Sequence, residues 1–528
     1  MSGTLDCLNP SAQERSLTLP QLLERRIDRL FATIPLVAEL GELFSEHGHD
    51  LYLVGGSVRD ALLGTLGHDL DFTTDAHPDE IEKLLRTRTH AVWDIGRAFG
   101  TIGAKIPVAD STAPEAETPA ASDGSADPDS GPDTEPADSP DAWVVEITTY
   151  RTDTYRSDSR KPTIAFGSSL EEDLIRRDFT VNAMAVHAAT RQFVDPHAGL
   201  ADIAAASLRT PFPPERSFSD DPLRMMRAAR FTSQLGFAVT DPVREAMTGM
   251  ADRIEIISAE RVRDELSKLL LTDHPREGLD LLVSTGIAGY VLPELPALRL
   301  ERDEHHRHKD VYQHTLTVLD QSIALERSRG RAPDLTGRLA AVMHDVGKPA
   351  TRRFEPGGKV TFHHHDIVGA KLTRKRLRAL AFPSQFVKDV AKLVELHLRF
   401  HGYGEQGWTD SAVRRYVRDA GDQLERLHIL TRADCTTMNR RKAERLEFAY
   451  DDLERRIAEL ADQEQLKAIR PDLDGEQIME ILAIKPGPVV GQAYKFLLNL
   501  RLDEGPKSYD EAAEALRAWW AEQPERQG

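Results

Sequence analysis

The chain contains 528 residues, enough for three or four domains that each bury a hydrophobic core. Its two cysteines, Cys7 and Cys435, exclude a disulfide-based architecture, and with no evident signal peptide they predict a reducing, cytoplasmic environment. The segment that comes closest to a membrane span, 279–298, is interrupted by acidic and hydroxyl side chains, so we expect no membrane insertion.

The net charge of −19 is concentrated in one segment. Residues 107–142 hold ten Asp or Glu and no Lys or Arg, so the remainder of the chain carries only −9. That remainder has basic clusters, at Arg224–Arg230, Lys371–Arg378 and Arg440–Arg445. Charge therefore argues against a general DNA-coating protein and leaves open the binding of a structured RNA through local patches.

An N-terminal extension, 1–34, begins with a polar stretch that we expect to be loose. Helical periodicity covers 19–46, and the apolar run Leu51–Val54 then predicts a short buried strand. The strand ends at Gly55-Gly56, where backbone can approach a ligand closely. We expect Ser57 to cap a helix over Val58–Leu63.

The next predicted strand, His68–Thr73, carries Asp69 and Asp71 on one face, because strand side chains alternate. Two carboxylates beside a glycine turn at a helix N-terminus suit divalent cations and a polyphosphate. The pattern predicts nucleotidyl transfer, in which two Mg²⁺ held by these carboxylates neutralise charge during attack on an α-phosphate. Gly56, through its backbone N–H, and Arg59, through a bidentate contact, would hold the triphosphate.

An acidic insertion interrupts the next pair of predicted strands. After a helix at 78–86 and a strand at 98–106, residues 107–142 are too poor in large apolar groups to fold, so we predict a disordered insertion. Strand pattern resumes at 143–151, which makes the insertion a lengthened hairpin loop. Glu146 on this strand is a candidate third carboxylate, although a solvated strand residue is the slightly better interpretation. We expect a mobile loop over 155–169.

From about Ala198 the chain is mainly helical, and one helix is predicted over Asp221–Leu235, ending at Gly236. Asp221 and Arg224, three residues apart, would present one acceptor and one donor fork side by side. Cytosine and adenine match this pair, whereas uracil and guanine show a carbonyl instead of the amine, so the pair selects CTP and ATP without a template. Arg227 and Arg230 follow, and helix rotation assigns Arg230 to phosphate or to bracing.

Four sequence blocks occur in the order of one known family. They are Gly-Gly-Ser-Val-Arg-Asp at 55–60, Asp-Leu-Asp at 69–71, Arg-Arg-Asp-Phe-Thr-Val-Asn-Ala at 176–183 and Asp-Asp-Pro-Leu-Arg-Met-Met-Arg-Ala-Ala-Arg-Phe at 220–231. In these blocks the chain resembles the class II CCA-adding tRNA nucleotidyltransferases and the related bacterial poly(A) polymerases. The resemblance implies an α+β fold with a small mixed β-sheet nucleotidyltransferase head (35–200), followed by a mostly α-helical neck (201–275), HD domain (276–440) and tail (441–528).

The resemblance also implies the tRNA 3′ end as acceptor and nucleotide contacts by Arg177, Arg227 and Arg230, whereas Asp178 and Asn182 are expected to brace the fold. The family's usual glutamate before Asp221 is an aspartate here, which shortens a supporting contact. Phe-Gly-Thr at 99–101 and the non-basic segment 503–528 favour CCA addition over poly(A) addition. A third hypothesis is an RNA-binding or HD phosphohydrolase protein whose transferase site is silent.

Histidines are dense over 305–401. His314, His344, Asp345 and Asp434 occur in the ligand order of HD-type phosphohydrolases, which the segment 305–440 resembles, and imply a divalent metal of unassigned identity. His365 and His397 are candidates for a second metal or for the substrate phosphate. The alternative is a purely structural helical domain. Five other histidines are expected to be solvated: His305, His306, His308, His363 and His364.

The segment 473–493 has a helix–turn–helix pattern, with Gly487 predicted to end the first helix and Pro488 to open the second. Lys485 and Lys495 flank the turn. The resemblance implies that such helices hold tRNA, and the residues alone support a plain packing turn equally well.

Overall fold

The computed structural model describes residues 17–65, 67, 69–97, 100–108, 142–156, 159–167, 169–300, 310–356, 360–403, 408–436, 439–464 and 470–523. The chain divides into two compact units, Met1–Ile257 and Ser258–Gly528. The division falls within the segment predicted as the neck, 201–275. Among the described residues, no helix has both the length and the apolar character that a membrane crossing requires.

The first unit is built on a mixed β-sheet. Its strands are β1 Leu51–Val54, β2 Asp69–Thr74, β3 Val92–Gly96, β4 Thr101–Pro107, β5 Ala142–Thr149, β6 Arg151–Arg156, β7 Ser159–Phe166, β8 Ala185–His187, β9 Phe193–Val194, β10 Ser207–Leu208 and β11 Ala238–Val239. Seven of them form one sheet in the order β3-β4-β5-β2-β1-β8-β9, in which β2 and β5 are parallel and the other neighbours are antiparallel. The predicted small mixed sheet is confirmed.

The helices described in this unit are α1 Leu19–Thr33, α2 Leu36–Glu46, α3 Gly56–Leu63, α4 Pro78–Leu85, α5 Leu170–Ile175, α6 Gly199–Ala204, α7 Pro214–Asp220, α8 Leu223–Leu235 and α9 Asp241–Gly249. The single periodic stretch 19–46 forms two helices, because Pro35 lacks an N–H and cannot continue α1. Strand β1, fully buried at Leu51, Leu53 and Val54, lies at the centre of the core.

The hairpin predicted around the acidic insertion is present. β4 and β5 pair antiparallel from Thr101↔Thr148 to Pro107↔Ala142, so the two ends of the insertion are neighbours. Residues 109–141, which carry the prediction of disorder, lie outside the described residues. The prediction of a mobile loop over 155–169 is wrong in part, since β6 and β7 form an antiparallel hairpin there.

The second unit is helical, as the resemblance implied. Its helices are α10 Ala259–Leu270, α11 Pro275–Ser284, α12 Ala288–Val291, α13 Glu294–Ala297, α14 Val311–Ser328, α15 Leu335–Met343, α16 Lys348–Thr351, α17 His365–Ala379, α18 Ser384–Leu396, α19 Asp410–Ala420, α20 Leu424–Asp434, α21 Arg440–Glu464, α22 Gly475–Leu482, α23 Pro488–Glu504 and α24 Tyr509–Ala521. One short hairpin, β12 Arg353–Phe354 with β13 Val360–Thr361, interrupts them. Helices α14, α15, α17, α18 and α20 pack together and carry the histidine-dense block.

The predicted helix–turn–helix of the tail is formed by α22 and α23. The first helix ends at Leu482 with Ala483 in the left-handed conformation, so the expected end at Gly487 is wrong. Pro488 opens α23 as predicted. These helices and α24 share a small apolar core that includes Ile478, Leu497 and Leu516, and both Lys485 and Lys495 are exposed.

Candidate active site and metal centre

The turn between β1 and α3 requires glycine. Gly55 has a φ of +69°, and a Cβ there would lie 3.0 Å from Arg177 Nη1 and 3.6 Å from Asp71 Oδ2. The Ser57 hydroxyl donates to the Asp69 carbonyl and accepts from the Asp71 N–H, each at 3.1 Å. Gly55 is the N-cap of α3, so the cap predicted for Ser57 is wrong. Its hydroxyl instead ties the turn to β2.

Three carboxylates lie on neighbouring strands beside this turn. In β2, Asp69 is exposed and Asp71 is half-buried, while Leu70 between them is buried on the other face as predicted. The parallel register of β2 and β5 sets Glu146 directly opposite Asp71. Glu146 is half-buried and lies opposite Asp71, which favours its interpretation as a third carboxylate over that of a solvated strand residue. The sequence held no signal for this pairing, because β2 and β5 are separated by two strands and the insertion.

Burial and neighbouring negative charge raise the pKa values of Asp71 and Glu146. Burial raises the pKa of Asp71, the Arg177 guanidinium opposes the rise, and the charge on Asp69 adds to it. Burial likewise raises the pKa of Glu146, and Asp71 and Asp69 raise it further. A divalent cation relieves this repulsion, and a set of carboxylate oxygens fits Mg²⁺.

Two of the predicted nucleotide ligands are arginines near these carboxylates. Arg59 is only 4% exposed, and its Nε donates to Asp60 Oδ1 at 2.8 Å. Arg177 donates from Nη2 to the buried Asp173 Oδ2 at 3.1 Å, and its Nη1 lies over the Gly55 turn. Each guanidinium is therefore held in a fixed orientation by a carboxylate of the protein.

A chain of hydrogen bonds links Arg59 to Arg227. Arg59 Nη1 donates to Asn182 Oδ1 at 2.6 Å, and Asn182 Nδ2 donates to Asp178 Oδ1 at 2.9 Å. The other oxygen of Asp178 accepts from Arg227 Nε at 2.7 Å and Nη2 at 2.5 Å. Burial raises the pKa of Asp178, but Arg227 and Asn182 lower it by more, so the carboxyl stays ionised. The bracing expected of Asp178 and Asn182 is thus a direct link between two predicted nucleotide ligands.

The predicted base-reading pair has a different geometry from the one expected. The helix predicted to begin at Asp221 begins at Leu223, and Asp221 lies in extended backbone before it. The Asp221 carbonyl still accepts from the Arg224 N–H at 3.1 Å, so the residues remain close. Arg224 is 8% exposed and donates to Ser217 Oγ at 2.8 Å and to the Arg176 carbonyl at 2.5 Å.

An aromatic ring that the sequence analysis did not single out lies under three arginines. The guanidinium carbons of Arg59, Arg227 and Arg230 lie 5.2, 5.4 and 4.3 Å from the centre of the Phe231 ring. Phe179 packs edge-on against the same ring at 5.8 Å. Phe231 follows Arg230 directly in the fourth sequence block, and that adjacency was the available signal. Cation–π contacts with the Phe231 ring stabilise all three guanidinium groups.

In the second unit, the four predicted HD ligands lie together. His314 Nε2 is 2.9 Å from Asp434 Oδ1, and His344 Nε2 is 3.2 Å from Asp345 Oδ2. His344 Nε2 also lies 3.6 Å from Asp434 Oδ1. His344 and Asp345 follow the last residue of α15 and are almost fully buried.

The two carboxylates of this cluster attract positive charge. Burial lowers the pKa of His344, but Asp345 and Asp434 raise it to about 10. The histidines hold the pKa of each carboxyl well below its usual range despite burial. Lys348 Nζ adds a further positive charge, 2.8 Å from Asp345 Oδ2. Asp345, which is buried, and Asp434, which is partly buried, form with the two imidazoles a donor set that suits a divalent metal.

The other candidate histidines of the histidine-dense block are either part of the buried cluster or exposed. His365 and His397 join the cluster, with His365 Nε2 3.3 Å from Asp345 Oδ1 and the ring centres of His344 and His397 5.4 Å apart. His363 and His364 are exposed, as expected. The other three predicted solvated histidines, His305, His306 and His308, lie outside the described residues.

Family models match three parts of the chain. The "Poly A polymerase head domain" matches residues 51–130 and 133–209, and the "HD domain" matches 311–439. Between them, the "Probable RNA and SrmB-binding site of polymerase A" matches 236–298.

Curated relatives give a longer match. The chain is 35% identical to an A-adding tRNA nucleotidyltransferase of Deinococcus radiodurans, over 67% of this chain and 81% of that protein. The chain belongs to the tRNA nucleotidyltransferase family. A CC-adding tRNA nucleotidyltransferase of Thermus thermophilus is also 35% identical, over 66% of this chain and 77% of that protein. The likeness to a CCA-adding enzyme of Streptococcus thermophilus is 28% over 86% of this chain and 89% of that protein.

Solved structures in the tRNA nucleotidyltransferase family share the fold of this chain. The CCA-adding enzyme of Bacillus stearothermophilus in complex with CTP superposes with a TM-score of 0.64 at 23% identity, covering 93% of this chain and 98% of that chain. The Thermotoga maritima CCA-adding enzyme complexed with tRNA gives 0.57 at 17% identity, covering 96% and 99%. The resemblance and the α+β fold class inferred from four sequence blocks are confirmed.

Proposed function

We propose that this nucleotidyltransferase adds C, C and A to the 3′ end of tRNA, using CTP and ATP and no nucleic-acid template. The observation that carries the proposal is the register of β2 and β5, which brings Asp69, Asp71 and Glu146 together beside the Gly55 turn. A hydroxyl acceptor and a triphosphate need such a cluster of cation ligands next to backbone N–H groups and arginines. Relatives named for adding A, CC and CCA support tRNA as the acceptor.

The carboxylates and the turn serve the reacting phosphates. Asp69 and Asp71 would hold Mg²⁺, which supplies charge neutralisation at the phosphate oxygens when bound. The Gly56 N–H and Arg177 face the triphosphate from the turn, and Arg177 is oriented by a buried carboxylate. Arg59 is buried and donates a hydrogen bond to Asn182, so its guanidinium would provide a positive charge in a fixed position near the phosphates.

Base choice belongs to the segment around α8. Asp221 would accept from the exocyclic amine shared by cytosine and adenine, and Arg224 would donate to the neighbouring ring acceptor. Uracil and guanine would leave buried polar groups unpaired, which is costly. Arg227, clamped by Asp178, and Arg230, stacked on Phe231, position this segment and complete the positive field around the nucleotide.

The second unit would bind a divalent metal through His314, His344, Asp345 and Asp434. The donor set fits a cation because one buried and one partly buried carboxylate face two imidazoles, with nitrogen–oxygen distances of 3.7 Å or less. Phosphate ester hydrolysis is the chemistry that such a centre supports. We propose a cytoplasmic location, which agrees with a sequence of only two cysteines.

The test uses three tRNA transcripts, ending at the position before CCA, at C and at CC. Each is incubated with the full chain, Mg²⁺ and labelled CTP or ATP, and products are resolved by length. We expect two C additions and one A addition, in that order, with none for the Asp71→Asn variant. Activity that survives in Asp71→Asn, or is absent from the unmodified chain, would overturn the assignment of the site.

The same assay separates a second candidate. The relatives in Deinococcus radiodurans and Thermus thermophilus are named for adding only A and only CC, and each is 35% identical to this chain. Extension of only the CC-ended transcript with one A, or of the first two transcripts with C alone, would assign one of these partial activities. Long runs of A on every transcript would instead identify a poly(A) polymerase. A silent transferase with an active metal centre in the second unit would give no extension at all.

A further inference from the structure

Three guanidinium groups from two helices lie over the ring of Phe231. Arg227 and Arg230 belong to α8, the helix that carries the ring, and Arg59 belongs to α3. Their guanidinium carbons lie 5.4, 4.3 and 5.2 Å from the centre of the ring, which is buried at 3% exposure. Three positive charges that share one ring repel one another, and the negative face of the aromatic ring offsets part of that repulsion. The ring therefore allows the three cations to gather at one place.

Hydrogen bonds hold two of these guanidinium groups at their edges. Arg59 donates to Asp60 and to Asn182, and Arg227 donates to Asp178. Such bonds lie in the plane of the guanidinium group, and the group can still tilt about the line that joins its partners. Contact with an aromatic face fixes the plane itself. The ring therefore supplies the part of the orientation that the hydrogen-bond acceptors do not.

Two of these cations act on the proposed reacting centre. Burial raises the pKa of Asp71, and the charges of Arg59 and Arg227 are among those that oppose the rise. The positive field at the ring thus reaches a carboxylate proposed to hold Mg²⁺, beside which the phosphates of a bound nucleotide would lie. An anion bound there would meet cations whose orientation depends on Phe231.

The proposed base-reading arginine is held by other contacts. Arg224 donates to Ser217 Oγ at 2.8 Å and to the Arg176 carbonyl at 2.5 Å. Among the described residues, the arginines over the Phe231 ring are the three named above, and Arg224 is not one of them. A change in the ring should therefore alter the binding of phosphates and leave base choice as it is.

We propose that Phe231 is a positioning residue for the triphosphate: its ring orients the three arginines around it to bind the phosphates of CTP and ATP with equal effect, and it takes no part in base choice. The inference rests on the proposed nucleotidyl transfer, because it assigns a role within that site. It concerns the binding of nucleotide and not the acceptor, so its test needs no tRNA.

The experiment replaces Phe231 in the full chain by phenylalanines that carry one, two or three fluorines on the ring. Fluorine withdraws electrons from the face of the ring and weakens the attraction for cations in steps, while the size of the ring changes little. The dissociation constants of CTP and ATP are measured by equilibrium dialysis with Mg²⁺ and without tRNA, so that no transfer takes place. We expect each fluorine to raise both constants by the same factor, to a total of about tenfold or more with three fluorines. The preference for CTP over UTP in the transcript assay should not change.

Phe218 provides the matched control. It is a phenylalanine of α7 that is 0% exposed, and within the described part of the chain no guanidinium group lies over its ring. The same fluorinated residues at this position should leave both dissociation constants unchanged. Phe231→Leu, which removes the aromatic face altogether, should raise both constants by about 10–100-fold.

Three results would overturn the proposal. They are dissociation constants that stay level across the fluorinated series at Phe231, an equal change in the series at Phe218, and a change for CTP that ATP does not share. The fluorinated chains keep a ring of nearly the same size, so the outcome does not depend on whether Phe231→Leu folds. An unmodified chain that extends the transcripts with CCA while the series stays level would refute only the role of Phe231. An unmodified chain that binds neither nucleotide would refute both that role and the proposed transfer.

Discussion

Replacement of Asp178 by Asn should destabilise the first unit by about 2–4 kcal/mol at neutral pH. The Asp178 side chain is 8% exposed and receives two hydrogen bonds from Arg227. Removal of one partner of a buried ion pair costs about 3–5 kcal/mol, because the other charge stays buried. The Arg227 side chain is 34% exposed, and water therefore recovers part of that cost.

The cost should depend on pH. Burial raises the pKa of Asp178, but Arg227 and Asn182 outweigh burial and hold it below its ordinary value. The stabilisation is therefore present above the pKa of aspartate in the unfolded chain, about 3.9, and is lost as pH falls through the lower folded-state pKa. The unmodified chain and Asp178→Asn should converge in stability at acidic pH.

Urea-dependent hydrogen exchange of the β1 and β2 amides, read by mass spectrometry in the full chain, measures the free energy of opening of this unit. Asp79→Asn is the matched control, since that carboxylate is 88% exposed and should cost less than about 1 kcal/mol. Adding Arg227→Leu to Asp178→Asn should recover part of the loss, because no charge is then left unpaired. A loss in Asp178→Asn below about 1 kcal/mol, or one that is the same at pH 7 and at acidic pH, would refute the reasoning.

Three further predictions concern the active site and the second unit. Glu146→Gln should slow A addition by about tenfold or more and raise the Mg²⁺ concentration that gives half the maximal rate. Because burial and Asp71 raise the pKa of Glu146, the acid limb of the pH–rate profile of the unmodified chain should lie above the ordinary carboxyl range. An unchanged Mg²⁺ dependence of the variant in single-turnover assays would contradict this prediction. Arg224→Lys should lower the preference for CTP over UTP by about 10–100-fold. Ser217→Ala removes only a hydrogen-bond partner of Arg224 and should largely keep that preference. An equal loss of rate with all four nucleotides in Arg224→Lys would argue against base reading. Arg338→Met should destabilise the second unit by about 3–5 kcal/mol, since Arg338 is 1% exposed, pairs with Glu326 and donates to the Leu270 and Thr272 carbonyls. Urea-dependent hydrogen exchange of the α15 amides measures this destabilisation, and a loss below about 1 kcal/mol would contradict the prediction.

Features that depend on neighbouring residues were predictable from the sequence. Alternation along β2 predicted that Asp69 and Asp71 share a face with Leu70 buried behind them, and the structure confirms that burial pattern. Gly236 was predicted to close α8 and does so at a φ of +71°. Four ordered sequence blocks were enough to identify the family.

Local errors occurred where two patterns compete over a few residues. Ser57 has the composition of an N-cap, but its hydroxyl bonds to β2. Asp221 was placed on α8, but the Asp-Asp-Pro sequence separates α7 from α8. The reason is that a proline disfavours helical backbone at the residue before it, which here is Asp221. The polar residues of β6 and β7 resembled a loop, and their pairing with each other makes a hairpin.

The faces that residues share and the family to which the chain belongs can be derived from the sequence alone, because side-chain periodicity and motif order are properties of residues close together in the chain. Contacts between residues distant in the chain became known from the folded structure: Glu146 opposite Asp71, Arg224 buried against Ser217, and His397 beside His344 and Asp345. Such meetings depend on strand register and helix packing, which are set by the summed burial and hydrogen bonding of the whole unit.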